Sequence, residues 1–251
     1  MTEGNRRVHP GPRLGAAADM LAGSRVTADI GCDHGRLLAV LLQRDAEARC
    51  IGVDVSAPSL EKARRLFEKT GLSDRAALRL GDGFSALSPG EADAAALLGM
   101  GGTLMARLLD ACPVPFCGAA RIVCQPMRTA ADIRAWLYAH RCPILDDRVV
   151  REGGRLYQVF SAAPPADAAD ALPDGWPADC FSLGYRAFAK RDPLLPALAR
   201  LRKDQCEKRL RAAGAGAGAK EKLSALRREA ERMRAILSAY GAEEGGDTAC
   251  D

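Results

Sequence analysis

The chain has 251 residues, 48% hydrophobic and 5% aromatic, and its 36 Lys and Arg against 32 Asp and Glu give a formal charge of +4. That length suits one sizeable α/β domain plus an appendage, and no run reaches the roughly 20 apolar residues that a membrane span needs. The polar start Met1–Arg13 holds two prolines and no apolar segment, so it does not read as a secretory signal and a cytoplasmic protein is expected.

In chain order, an amphipathic stretch Leu14–Leu21 precedes a strand Val26–Ile30. Gly31-Cys32-Asp33-His34-Gly35 then turns into a helix over Arg36–Gln43. A strand Arg49–Val55 leads to a helix Ser56–Thr70, in which Leu60, Ala63, Leu66 and Phe67 share one face and Ser56 caps the start. The strand Ala76–Leu80 ends at Gly81-Asp82-Gly83. The short run Ala92–Leu98 reads as a buried parallel strand, and it ends at Gly99-Met100-Gly101-Gly102 before a helix to Ala111. Arg121–Cys124 is another short strand, closed by Gln125-Pro126, and a helix Ala130–His140 follows. The rhythm then changes: Pro143–Arg151 and Arg155–Ala162 are extended runs joined by Glu152-Gly153-Gly154, a hairpin signal.

Residues 164–180, rich in Ala, Pro and Asp, read as a linker or excursion. Over residues 181–240, Leu194, Leu198, Leu201 and Leu210 mark one helical face. Gly214 to Gly218 interrupts it, and Leu223, Leu226, Met233, Ile236 and Leu237 resume it. This pattern predicts an antiparallel helical hairpin of coiled-coil type, followed by a disordered tail over 241–251. Charge is unevenly spread. Met1–Tyr185 holds 21 basic against 22 acidic residues, whereas Arg186–Arg234 holds 15 against 6, a net of +9. A localised basic face fits a polyanion partner, and it equally fits a pair of simply soluble helices. The nine cysteines stand singly, with no two-residue spacing of a zinc or redox motif, which favours a reducing compartment and no metal.

In an open α/β sheet, ligands bind outside the carboxyl ends of the strands, and every polar motif above falls at such an end. A dinucleotide needs a glycine where Asp33 stands, so that backbone can approach the pyrophosphate, and a carboxylate there would repel phosphate. S-adenosylmethionine has no phosphate and carries a sulfonium and an α-ammonium, which acidic residues favour. Asp29 and Asp33 suit its amino-acid end, with Gly31, His34 and Gly35 in the same turn. Asp54, with Val55 after it, is placed for ribose hydroxyls. Asp82 and the Gly83 N–H suit the adenine, although Asp54 and Asp82 also read as ordinary loop carboxylates. His34 either contributes directly or merely caps and packs. Gly99 and Met100 would border the cofactor, and Gly101 and Gly102 would let a planar acceptor approach backbone; a tight strand-to-helix turn needs the same glycines. Gln125 and Pro126 either line the acceptor pocket or start a loop.

Five βα units followed by a terminal hairpin resemble the seven-stranded, Rossmann-like plan of class I methyltransferases. Ala28-Asp-Ile-Gly-Cys-Asp-His34, Gly99-Met-Gly-Gly102, Gln125-Pro126, Ile133-Arg-Ala-Trp-Leu137 and Glu152-Gly-Gly-Arg-Leu-Tyr157 together resemble the bacterial tRNA adenine-N1 methyltransferases that modify adenine-22. The likeness spans about residues 12–162, and the helical hairpin is similar to that family's carboxy-terminal coiled coil. The chain departs at Arg36-Leu37-Leu38, where the family tends to show an aromatic and then a proline, and at Gln158 in place of a frequent acid.

The resemblance implies an S-adenosylmethionine-binding catalytic domain over 1–163 that methylates N1 of a tRNA adenine; a monomer is expected, and the cysteine spacing gives no metal site. Asp33 is then the candidate acceptor of the proton later lost from the product. Arg200, Lys203, Lys208 and Arg211 would grip the phosphate backbone. Three rivals stay open: a class I methyltransferase for a protein or small molecule, an NAD-linked oxidoreductase, and a non-catalytic RNA-binding module on a methyltransferase fold.

Overall fold

The computed structural model describes residues 7–112, 114–167, 170–212 and 219–241. Its first unit ends at Asp170 and is built on one sheet of seven strands. These are β1 Val26–Ile30, β2 Arg49–Asp54, β3 Ala76–Leu80, β4 Ala94–Leu98, β5 Arg121–Gln125, β6 Ile144–Glu152 and β7 Arg155–Ala162. Their order across the sheet is β3-β2-β1-β4-β5-β7-β6. The first five run parallel, and β7 enters antiparallel between β5 and β6. The chain steps outward from β1 to β3 and then returns to β4 on the other side of β1. That reversal opens a crevice at the carboxyl ends of β1 and β4. Ile30 pairs in register with Val53 of β2 and Leu97 of β4, so the three strand ends stand level.

The helices of this unit are α1 Pro12–Met20, α2 Arg36–Arg44, α3 Ala57–Thr70, α4 Gly102–Asp110 and α5 Ala130–Ala139. Helix α1 starts earlier than the apolar pattern suggests because Pro12 fits the first turn, where no N–H is needed. Strand β4 starts later than expected: the Asp93 carboxylate accepts from the Arg25 and Val26 N–H groups and so closes the neighbouring strand's entry. The unit after β3 contains only a single 3-10 turn, Gly83–Ala86, in place of a helix. Helix α2 buries six consecutive residues, Leu37 to Leu42, because α1, α3 and the sheet pack around it. One side chain ties the end of α2 to the segment that follows it. Arg75 donates to Leu42 O at 2.7 Å, Asp45 O at 2.8 Å, Ala46 O at 3.1 Å and Ala48 O at 3.2 Å. Helix α5 is tied to β6 by a buried ion pair, Arg134 Nη2 lying 2.9 Å from both carboxylate oxygens of Asp147.

The second unit begins at Ala171 and holds α6 Tyr185–Ala189, α7 Leu195–Ala212 and α8 Ala219–Ala239. Arg191, just before α7, donates to Ala239 O at the end of α8 (2.7 Å), so the two long helices run antiparallel. Trp176 packs on Tyr185 and Phe188, and Phe188 on Tyr240. Trp176 and Cys180 are buried. Residues 171–180, within the stretch expected as a linker or excursion, supply the buried Trp176 and Cys180 to this unit. The expected Gly214–Gly218 turn, and the expected tail beyond Gly241, lie outside the described residues.

Candidate active-site cleft

The turn after β1 shapes the crevice. Gly31, Asp33 and Gly35 all take left-handed backbone angles (φ +76°, +47° and +67°), which reverses the chain within five residues. The N–H groups of Gly31 and Cys32 both donate to Val53 O, at 2.8 and 3.0 Å, pinning the turn to the end of β2. Gly35 has a second constraint, since a Cβ there would stand 2.8 Å from the Phe67 ring. The Asp54 carboxylate accepts from Asp33 N at 2.9 Å and from Ser56 N at 2.8 Å. It thus holds the turn and the start of α3 together. Each of its oxygens keeps a second lone pair for a hydroxyl donor.

Asp29 is the unusual group. It is 4% exposed, and its Oδ1 has no hydrogen-bond partner. Burial, reinforced by the nearby charges of Asp54 and Asp33, pushes its carboxyl up to about 7. A buried carboxylate with a spare acceptor and a cost of ionisation is a ready seat for a cation. Asp33 and His34 are exposed beside it, ion-paired through His34 Nδ1, and Ser59 Oγ lies 3.4 Å from Asp33 Oδ1. Asp33 lines the same cleft as Gly99, Met100 and Met127, from the loops after β4 and β5. At the ends of β2 and β3, Val55 and Leu80 are 70% and 64% exposed. Asp82 and the buried Gly83 follow Leu80 after Gly81.

On the other side, the loop after β4 is zipped to the loop after β5. Gly99 N donates to Gln125 O (3.1 Å), Met127 N to Met100 O (2.9 Å) and Gly102 N to Arg128 O (3.0 Å), and Gly101 pairs with Arg128 as a parallel bridge. A Cβ on Gly102 would lie 2.1 Å from Thr129 O, so only glycine allows this approach. Gln125 and Pro126, expected to line an acceptor pocket, are both buried. The Gln125 amide is committed to Arg13 Nη1 (2.7 Å) and Met127 Sδ (3.6 Å). Arg13 and Met127 stand at the surface in its place.

The result is a cleft of about 700 Å³ that gathers Asp29, Gly31, Asp33, His34, Gly99 and Met100. It adds residues that sequence reasoning missed: Arg13, Arg36, Met127 and Glu152. Arg13 is fixed by its N–H to Glu152 Oε2 (2.9 Å), by Gln125, and by the Tyr157 ring 5.2 Å from its guanidinium carbon. Its partners lie more than a hundred positions away in sequence, so no local signal marks it. Gly35, Asp54, Val55, Asp82, Gly83, Gly101, Gly102, Gln125 and Pro126 do not line this cleft.

Arg200, Lys203, Lys208 and Arg211 all lie on α7 in the second unit; Arg200, Lys208 and Arg211 point away from the buried Leu195, Leu198, Ala199 and Cys206, and Lys203 flanks that face. Arg200, Lys208 and Arg211 are exposed and Lys203 is half-buried. Among the described residues, no group of His, Cys, Asp and Glu could hold a metal ion. No described helix is long and apolar enough to cross a membrane.

Residues 11–160 match a family model described as a methyltransferase domain. The chain is 35% identical over 163 residues to the tRNA (adenine(22)-N(1))-methyltransferase of Bacillus subtilis, covering 65% of this chain and 68% of that protein. The crystal structure of the B. subtilis m1A22 tRNA methyltransferase superposes with a TM-score of 0.77 at 25% identity, over 92% of this chain and 99% of that one. The M. capricolum TrmK structure, solved with S-adenosyl-homocysteine, shares the fold with a TM-score of 0.75 at 17% identity, over 92% and 99% of the two chains.

Proposed function

Because the chain belongs to the methyltransferase-domain family, and within it to the tRNA (adenine-22-N1)-methyltransferases, we propose that it methylates N1 of adenine-22 in tRNA. The methyl donor is S-adenosylmethionine, and the enzyme is cytoplasmic and acts as a monomer. The observation in this molecule that carries the reading is Asp29, a buried carboxylate with one unpartnered oxygen on a cleft beside a glycine turn. A phosphate-bearing ligand gains nothing from such a group; an α-ammonium does.

The residues fit the donor from end to end. Asp29 would hold its ammonium, Asp54 its ribose hydroxyls, and the exposed Val55 with Asp82 and the Gly83 N–H its adenine. When bound, S-adenosylmethionine supplies a methyl group on a sulfonium. The zipped loops after β4 and β5 then form the acceptor side, where Gly101 and Gly102 keep the backbone low. N1 of adenine already carries a ring lone pair, so the protein's task is to align it and exclude water rather than to remove a proton first. N1 lies on the pairing edge, so the base must leave its stack to reach the cleft. The basic residues of α7 would hold tRNA phosphates, which makes binding salt-sensitive.

The deciding experiment is incubation with S-adenosylmethionine and unmodified tRNA, followed by nucleoside mass spectrometry. The expected product is 1-methyladenosine at position 22. Its absence across several tRNAs refutes the reading.

A further inference from the structure

We propose that Met127 is the platform on which the target base rests during methyl transfer, a role that rests on the tRNA-adenine reading above. A base lifted from its stack needs a flat apolar surface to replace its lost neighbours, and RNA-binding sites usually offer an aromatic ring. Among the described residues, no Phe, Tyr or Trp lines this cleft. Its apolar residues are Leu14, Leu37, Leu98, Met100 and Met127. Leu37 is 2% exposed and belongs to the core, whereas Met127 is 44% exposed. Met100 is engaged elsewhere, with its methyl packed over Gly31 on the cofactor turn.

Met127 is exposed yet held in place. Its N–H donates to Met100 O at 2.9 Å. Its sulfur accepts from Gln125 Nε2 at 3.6 Å and lies 3.9 Å from Arg13 Nη1. A methionine that merely fills space does not need two donors on its sulfur. Here they fix a polarisable thioether, a good partner for a π face, at the acceptor side of the cleft. The network also gives the buried Gln125 and the cleft-wall Arg13 a shared purpose: both position Met127.

The test is single-turnover methyl transfer at saturating tRNA, alongside S-adenosyl-homocysteine affinity by calorimetry and tRNA affinity. Met127→Ala is expected to slow transfer roughly tenfold while leaving both affinities near wild type, because stacking is made only with the lifted base. Met127→Leu should restore most of the rate, and Met127→Gln, of similar length but polar, should not. The side chain is half out of the protein, so these changes leave no buried cavity, and thermal unfolding confirms that each variant is folded. Wild-type transfer rates in Met127→Ala overturn the proposal. So does loss of S-adenosyl-homocysteine binding, which would place Met127 on the cofactor side, or a failure of Leu to rescue. If the unaltered chain makes no 1-methyladenosine on any tRNA, it is the family reading that has failed, and the proposal loses its premise.

Discussion

We predict that Asp29 couples cofactor binding to pH. Its carboxyl is pushed up to about 7 in the folded protein by burial and by the charges of Asp54 and Asp33, against about 3.9 in an unfolded chain. Between those values the folded state holds a proton that the unfolded state has lost, so stability falls as pH rises from about 4 through about 7. An ammonium ligand favours the ionised form, so cofactor affinity should move the other way. We predict that the unfolding temperature of the ligand-free protein drops across this window and that S-adenosyl-homocysteine binds more tightly at pH 8 than at pH 6. In Asp29→Asn both slopes should flatten, with affinity reduced at least tenfold at pH 8; an unchanged affinity by calorimetry would remove Asp29 from the site. Asp29, Gly31 and Asp33 were legible in the sequence because turn chemistry and strand ends are local. Arg13 and Glu152 were not, since α1 and the β6–β7 hairpin bring them to the cleft from distant parts of the chain, and Met127, although it directly follows Gln125-Pro126, carries no local signal of its own. Gln125 was singled out by position, but its amide faces Arg13 and Met127 rather than the cleft, a distinction no spacing encodes.

At the level of elements, two junctions decide whether the site is built. The first is the contact of Gly102, at the start of α4, with the loop that leads into α5. A methyl group there meets a backbone oxygen at 2.1 Å, which cannot move without breaking the Gly102 N to Arg128 O bond. Gly102→Ala should therefore cost about 1–3 kcal/mol in urea unfolding and reduce methyl transfer more than it reduces cofactor affinity. Equal loss of both would show that the acceptor loop is not separable from the cofactor turn. The second junction is the Arg134–Asp147 pair between α5 and β6, whose side chains are fully buried and lie under Phe160. Asp147→Ala leaves a buried cation and should destabilise by about 3–5 kcal/mol. The double change Arg134→Met with Asp147→Leu should recover most of that loss in the same assay. Strand positions were largely readable because the buried parallel strands are short apolar runs bounded by glycine or proline. The α6 turn and the buried Trp176 were not, because a stretch dominated by alanine, proline and aspartate carries no periodicity to read.

Across the whole molecule, charge is divided by region: the first 185 residues are near neutral, and the segment Arg186–Arg234 carries a net +9. The two units therefore offer different chemistry, a cleft suited to a small zwitterionic cofactor and a helical face suited to a phosphate backbone. On α7 Arg200, Lys208 and Arg211 are exposed and Lys203 flanks the buried face, so reversing their charge leaves the buried Leu195, Leu198, Ala199 and Cys206 unaltered. Each phosphate neutralised by the helix releases counterions, so the salt dependence of binding reports how many phosphates the helix holds. Replacing all four with Glu should weaken tRNA binding more than tenfold near 0.1 M salt. The plot of log affinity against log salt should become visibly shallower, by roughly 0.7–0.9 in slope for each phosphate no longer neutralised. Affinity for S-adenosyl-homocysteine should not change, because every residue lining the cleft belongs to the first unit. If the salt slope survives the charge reversal, the phosphates are held by arginines of the catalytic unit. The helical pair then owes its positive charge to solubility alone, and the partition of chemistry between the two units fails.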